Sequence, residues 1–175
     1  ERAVLGFDGL TQANFAVTVG DLKINNDTAL ANDAAGAQTA GNFSKAVLSL
    51  SRTNLLPDNF TFTTSLRSQA SLKNKNLDSS ERMYLGGASG VRAYPSSEGG
   101  GSQGNTFTAE LRQQLNSHYT VTGFYDRGHV QAFKNNAYAD GTAHLNSGSF
   151  SNNYSLSGYG VSLAWQSLKG TELRA

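Results

Sequence analysis

Few residues in this chain have the type and spacing to do chemistry. Gly99, Gly101 and Gly104 satisfy G-x-G-x-x-G, the spacing by which a glycine turn holds a dinucleotide pyrophosphate at a helix N-terminus. That use needs a strand leading in and a helix leading out. Here a strand pattern starts near Asn105, so the helix dipole that would hold the phosphates is missing. His118, His129 and His144 have no metal-ligand spacing and read as turn or loop residues. No serine, histidine and aspartate fall into a nucleophile elbow. The absence of cysteine removes thiolate zinc sites, cysteine nucleophiles and disulfides. Asn26, Asn42, Asn59 and Asn153 open glycosylation tripeptides, which chance supplies in a chain so rich in Asn, Ser and Thr. The reading is of a non-enzyme with no cofactor, no metal and no small-molecule substrate.

Composition narrows the class. Lys and Arg number 14 against 13 Asp and Glu, a net charge of +1, so there is no basic field for nucleic acid. Charged residues make up only 15% of the chain and hydrophobic ones 38%, while Gly, Ser, Asn and Thr supply 69 of 175 residues. That balance, polar without being ionic, suits neither a helical bundle nor a charged disordered tail. Mean hydropathy is −0.41, and no apolar run approaches the roughly 18 to 20 residues of a spanning helix. A spanning β-barrel passes the same test, because its strands need only about 9 to 11 residues and alternate between two faces. No basic, apolar leader opens the chain and Glu1 falls at the edge of a strand pattern, so the sequence is expected to be an excerpt of a longer protein.

The elements that must position any site are strands. Phe60, Phe62, Leu66, Ala70 and Leu72 share one parity, and Thr61, Thr63, Ser65, Arg67, Gln69 and Ser71 take the other. The same period-two pattern places Phe15, Val17 and Val19 against Asn14, Thr18 and Gly20, and Ala46, Leu48 and Leu50 against Lys45, Ser49 and Ser51. It recurs with Phe107, Ala109 and Leu111, then Val121 and Tyr125, then Tyr159, Val161, Leu163 and Trp165. Nine segments are expected, at about 1–9, 12–24, 42–52, 60–72, 80–86, 105–115, 119–131, 154–167 and 171–175. Tight turns at 116–118 and 168–170 contrast with long Gly/Ser/Asn-rich connections at 86–104 and 132–152. Counting strands back from those long connections puts 73–78 and 25–40 at the short-turn end and 54–59 at the long-loop end. Within 25–40, Asn26 or Asp27 is placed to cap a short helix running to about Ala37. A soluble sandwich or solenoid gives the same alternation. Two features favour a barrel: one parity carries Arg67, Gln69, Glu110, Arg112 and Asp126, which implies a wet lumen, and Phe60, Phe107, Tyr119 and Trp165 stand near strand ends as an interface girdle would.

From Leu85 the chain shows five elements in order: Leu85-Gly86-Gly87, the loop core Val91-Arg92-Ala93-Tyr94-Pro95, a Gly-rich spacer, a strand with Glu110-Leu111-Arg112, and Phe124-Tyr125-Asp126-Arg127-Gly128 as F-x-D-x-G. This series resembles the outer-membrane transporters of two-partner secretion, the haemolysin secretion/activation family related to the barrel-assembly proteins. A looser likeness extends upstream through Gly41 to Lys45 and Ser68-Gln69. Ala93 stands where the wider superfamily often has Gly, and Ala93-Tyr94-Pro95 matches the secretion branch.

The resemblance implies an all-β fold, an antiparallel transmembrane β-barrel of which residues 1–175 would form about the C-terminal half of a 16-stranded wall. Two periplasmic domains would precede it, and a last strand would follow. A long loop, about 86–104, would fold into the lumen. Arg92 at its tip would pair with Asp126 on the wall, with Phe124 packing on the loop and Gly128 leaving room for it. Val91, Arg92, Ala93, Tyr94 and Pro95 would then form a plug or latch, and Arg67, Gln69, Glu110 and Arg112 would line the lumen. The implied function is export of a large unfolded exoprotein of haemolysin or adhesin type, with an N-terminal secretion domain, across the outer membrane of a Gram-negative bacterium. Exoprotein and membrane lipid are the implied partners. The alternatives are a barrel-assembly insertase and a secreted β-rich adhesin.

Overall fold

The computed structural model describes residues 8–135 and 151–166, with the backbone of 172–174. Seven strands form one antiparallel sheet in the order β1 (Gly9–Leu22), β2 (Gly41–Leu56), β3 (Phe60–Ser71), β6 (Gln103–Gln114), β7 (Tyr119–Gln131), β8 (Asn153–Gln166) and β9 (Glu172–Arg174). Two short strands, β4 (Met83–Tyr84) and β5 (Gly100–Gly101), pair only with each other. The expected strand at 1–9 and the turn at 168–170 fall almost wholly outside the described residues, as do most of the 132–152 connection and His144.

Register decides which residues share a face, because directly paired residues in antiparallel strands point the same way. One continuous row runs Ser51, Ser65, Thr108, Asp126, Gly158, and its neighbours run Ser49, Arg67, Thr106, Gly128, Leu156 and Thr53, Thr63, Glu110, Phe124, Gly160. This polar and glycine-rich face carries the loop. The opposite face carries Phe15, Val17, Val19, Leu50, Phe107, Leu111, Tyr125, Tyr159, Val161 and Leu163, all exposed, with Val19 76% and Tyr159 86% accessible. A wide band of exposed apolar side chains is the pattern of the outer face of a barrel wall. Near the short-turn end, Tyr119 pairs with Trp165 on that same face.

The strand expected at 80–86 does not join the sheet, and this corrects the end to which each upstream connection belongs. Met83 and Leu85 are buried and Tyr84 is exposed, so a period of two is present. It arises from packing of a loop, since the only ladder there is the two-residue pairing with Gly100–Gly101. Removing one strand from the count inverts everything before it. The connections 23–40, 72–102 and 132–152 therefore lie at one end, and the turns after Leu56 and after Gln114 lie at the other. The first of these turns places Asp58 and Asn59 at φ 58° and 60°, the left-handed region that Asp and Asn tolerate best among residues with a side chain. At the second, the Asn116 side chain accepts from the amides of His118 and Tyr119 at 2.8 and 2.9 Å.

The long connections are tied to one another. α1 (Asp27–Ala35) starts at Asn26, whose side chain accepts from the Ala29 amide at 2.8 Å. Asp33 accepts from the Thr39 and Ala40 amides, both at 2.9 Å, and from the Thr39 hydroxyl at 2.7 Å. Burial opposes its ionisation, but these donors outweigh it and hold the Asp33 carboxyl below its ordinary range. Asn76, buried, donates to Ala37 O at 2.8 Å and accepts from the Asn135 amide at 2.8 Å, so one side chain joins all three connections. Asn76→Ala is expected to remove both hydrogen bonds, which join half-buried residues, at about 0.5–1.5 kcal/mol each. Hydrogen exchange should speed up at the Asn135 amide while the amides of β6 and β7 keep wild-type protection; unchanged exchange at Asn135 would count against the joint.

Candidate functional site: a loop clamped to the sheet

The loop's shape follows from its glycines. Val91 N donates to Leu85 O at 2.7 Å and Gly87 N to Tyr94 O at 3.0 Å, closing 85–94 into a compact hairpin. A Cβ on Gly90 would stand 2.0 Å from Leu85 O, and one on Gly86 would stand 2.1 Å from Pro95 O. No side chain fits at either point, so glycine alone allows the fold-back. Pro95 O accepts from the Glu98 amide at 3.3 Å, carrying the turn on past the tip.

The hairpin seats in a hollow that the sheet leaves for it. Leu85, Val91, Val130 and Leu156 make a small buried cluster, the first two from the loop and the others from β7 and β8. Beside Val130 and Leu156 the wall leaves a gap at Gly128, where a Cβ would meet Leu85 Cδ2 at 2.8 Å and Val91 Cγ2 at 3.3 Å. One on Gly158 would meet Ala93 Cβ at 2.8 Å. Gly128 thus accommodates two side chains rather than loop backbone. Burying Leu and Val in this hollow contributes about 1.5–3 kcal/mol each.

Polar contacts complete the seat. The Asp126 carboxylate is fully buried and receives Arg92 Nε at 2.8 Å, Nη2 at 2.7 Å and the Arg92 amide at 3.1 Å. Thr108, its register partner on β6, stands beside it on the same face. Arg92 Nη1 reaches Glu110 Oε1 at 2.5 Å, and the guanidinium lies over the Phe124 ring, 3.7 Å from its centroid. Every edge of the fork therefore meets a carboxylate and one face meets an aromatic ring, an arrangement that a lysine ammonium cannot reproduce. The wall makes room here too, since a Cβ on Gly160 would meet Phe124 Cζ at 2.7 Å.

Of the residues singled out from sequence, Val91, Arg92, Phe124, Asp126, Gly128 and Glu110 converge at this point. Glu110, read only as a lumen charge, is a direct second partner of Arg92; its i to i+2 relation to Arg112 showed its face but could not show the loop above it. Ala93, Tyr94 and Pro95 are exposed on the loop. Arg67 and Arg112 lie on the same face, exposed, on either side of the tip. Gln69 shares that face but is covered: its side chain donates to Glu81 O at 3.0 Å and to Ser102 O at 3.4 Å, so it holds the ends of the loop and does not face open space. Beside it Lys45 pairs with Glu81 at 2.8 Å. Ser102 was not anticipated; fully buried, it accepts from the Leu77 amide at 3.0 Å and donates to Ala132 O at 2.9 Å. The same face also carries a cavity of about 660 Å3, lined by Gln12, Asn14, Ser49, Ser65, Arg67 and Thr108 among others.

Comparison with known proteins bears on this arrangement. The model of the family described as haemolysin secretion/activation protein ShlB/FhaC/HecB matches residues 2–159. The heme/hemopexin transporter protein HuxB of Haemophilus influenzae is 27% identical over 137 residues, which is 76% of this chain and 24% of that protein. Its counterpart in strain 86-028NP is 28% identical over 132 residues, covering 73% and 23%. The chain thus spans about a quarter of the length of the curated relatives it matches. No solved structure matches it. The antiparallel strands with one polar and one apolar face are part of a β-barrel wall, the matched region runs from the first strands through the clamp and into β8, and the chain belongs to the haemolysin secretion/activation protein ShlB/FhaC/HecB family.

Proposed function

We propose that this chain is the C-terminal part of the barrel of an outer-membrane transporter that exports a large unfolded exoprotein, and that the loop 72–102 is the latch of its lumen. The observation that carries the reading is the clamp on Arg92: a long loop, free to lie anywhere at its end of the sheet, is instead pinned to the polar face by two carboxylates and an aromatic ring. Such a contact holds one of two loop positions rather than supplying fold stability, because all three ions lose hydration in making it. The exoprotein's secretion domain is recognised on the periplasmic side, the loop leaves its resting contact, and the chain passes in extended form along a hydroxyl- and amide-rich surface. Ser, Thr, Asn and Gln side chains with scattered arginines keep that surface wet and weakly adhesive. Membership of the secretion/activation family supports export over membrane insertion of other barrels.

The latch can be locked. The chain has no cysteine, and a Cβ on Gly158 would stand 2.8 Å from Ala93 Cβ, a gap that a small loop adjustment opens to the roughly 3.5–4.5 Å of a disulfide. In the full-length transporter, Ala93→Cys with Gly158→Cys is expected to cut secretion of the partner at least tenfold under oxidising conditions and to restore it with reductant. Gly158→Cys alone controls for crowding. Full secretion through a quantitatively oxidised pair would remove the latch role.

A further inference from the structure

Charge at the clamp does not balance. Asp126 and Glu110 bring two negative charges to the single positive charge of Arg92. The next charged residue on this face is Arg112, two positions beyond Glu110 on β6 and about 7 Å away along the strand. Arg112 is exposed, has no ion pair among the described residues, and shares with Arg92 and Glu110 a recess of about 250 Å3 also lined by Thr120, Thr122 and Ser162. Two arginines thus line one recess with the same carboxylate: Arg92 from the loop and Arg112 from the wall. Only one is engaged.

We propose that Arg112 is a positioning residue that receives Glu110 when the loop lifts, so that the carboxylate passes from one arginine to the other. This rests on the latch reading above and deepens it. With the loop seated, Arg112 repels Arg92 across the recess. With the loop lifted, Glu110 would otherwise face the lumen without a counter-ion, and Arg112 on the same strand face is within reach of it by rotation of two long side chains. Both effects act in the same direction, toward release. Arg67 lies six pairing rows away beside the larger cavity and has no acidic neighbour on its row, which runs Ser49, Arg67, Thr106. It therefore has no carboxylate to receive.

Spin labels at Ala88 and Ser117 of the full-length transporter in lipid, both exposed positions, report loop position as a distance distribution. Arg112→Gln is expected to lower the lifted fraction about two- to fivefold, the size of a partly screened ion pair. In an Glu110→Gln background the same substitution is expected to change it by less than 1.5-fold. Arg67→Gln, which removes equal charge, is expected to leave it unchanged. An equal effect of Arg67→Gln, or an undiminished effect of Arg112→Gln when Glu110 is already neutral, would overturn the proposal by making Arg112 only one more lumen charge. If Arg92→Ala leaves the distribution unmoved, the latch reading itself fails; if Arg92→Ala raises the lifted fraction and Arg112→Gln does nothing, only the transfer of Glu110 fails.

Discussion

Asp126→Asn in the full-length protein is expected to release the loop. The amide keeps the shape of the carboxylate but turns one acceptor into a donor, and that donor faces Arg92 Nε or Nη2, which now approach at 2.8 and 2.7 Å. The amide of Arg92, 3.1 Å from the same carboxylate, weakens with them. Because Asp126 is fully buried, no water can take over while the loop is seated. Removing one member of a buried pair costs about 3–5 kcal/mol where the structure cannot relax. Here relaxation is possible: the loop lifts, water enters, and the loss is read as a shift in loop position. A shift of that size would lower the seated-to-lifted ratio by a factor of hundreds or more, limited by what the Leu85 and Val91 contacts retain. With labels at Ala88 and Ser117, a second, longer distance should dominate. A seated population within twofold of wild type would mean that the carboxylate does not hold the loop.

Gly128→Val should reach the same state by a different force. The new side chain projects into space already filled by Leu85 and Val91, both fully buried, with the first contact at 2.8 Å. Overpacking of this kind costs about 1–3 kcal/mol, or about 5- to 150-fold in the seated-to-lifted ratio. The strand itself should not suffer, since valine suits a sheet better than glycine. Gly123→Val on the same strand is the control: it lies on the opposite face, where an added Cβ meets nothing within 4 Å. Heat-modifiable gel mobility should be retained by both variants, and only Gly128→Val should lengthen the loop distance. Loss of the folded band in Gly128→Val alone would instead show that the hollow stabilises the wall. Charge and shape are thus separable: Asp126→Asn keeps the shape of the seat, and Gly128→Val keeps its charges.

Much of the wall was legible residue by residue. Alternation at i and i+2 is a local property of an extended chain, and one apolar face against one polar face is enough to assign each strand and the parity of Arg67, Glu110, Arg112 and Asp126. Asn26 as a helix cap is equally local, because the amide it satisfies is three residues away. The element at 80–86 shows where this reasoning stops. Burial of Met83 and Leu85 beneath the loop imitates a strand, and because connections switch ends with every strand, that single addition moved 25–40 and 54–59 to the wrong ends.

Local residue patterns establish a β-structured chain with a wet face and a greasy one, in which a loop carrying Arg92 precedes a strand with F-x-D-x-G. What meets across the seat is set by the assembled fold. Glu110 joins Asp126 on Arg92, Leu85 and Val91 sit against Gly128, Ala93 sits against Gly158, and Gln69 and Ser102 hold the loop ends. These partners are separated by tens of residues and are brought together by strand register and by the path of one long connection. Neither is encoded in any short window, because register depends on the whole ladder and a loop's resting place depends on the surface that forms around it.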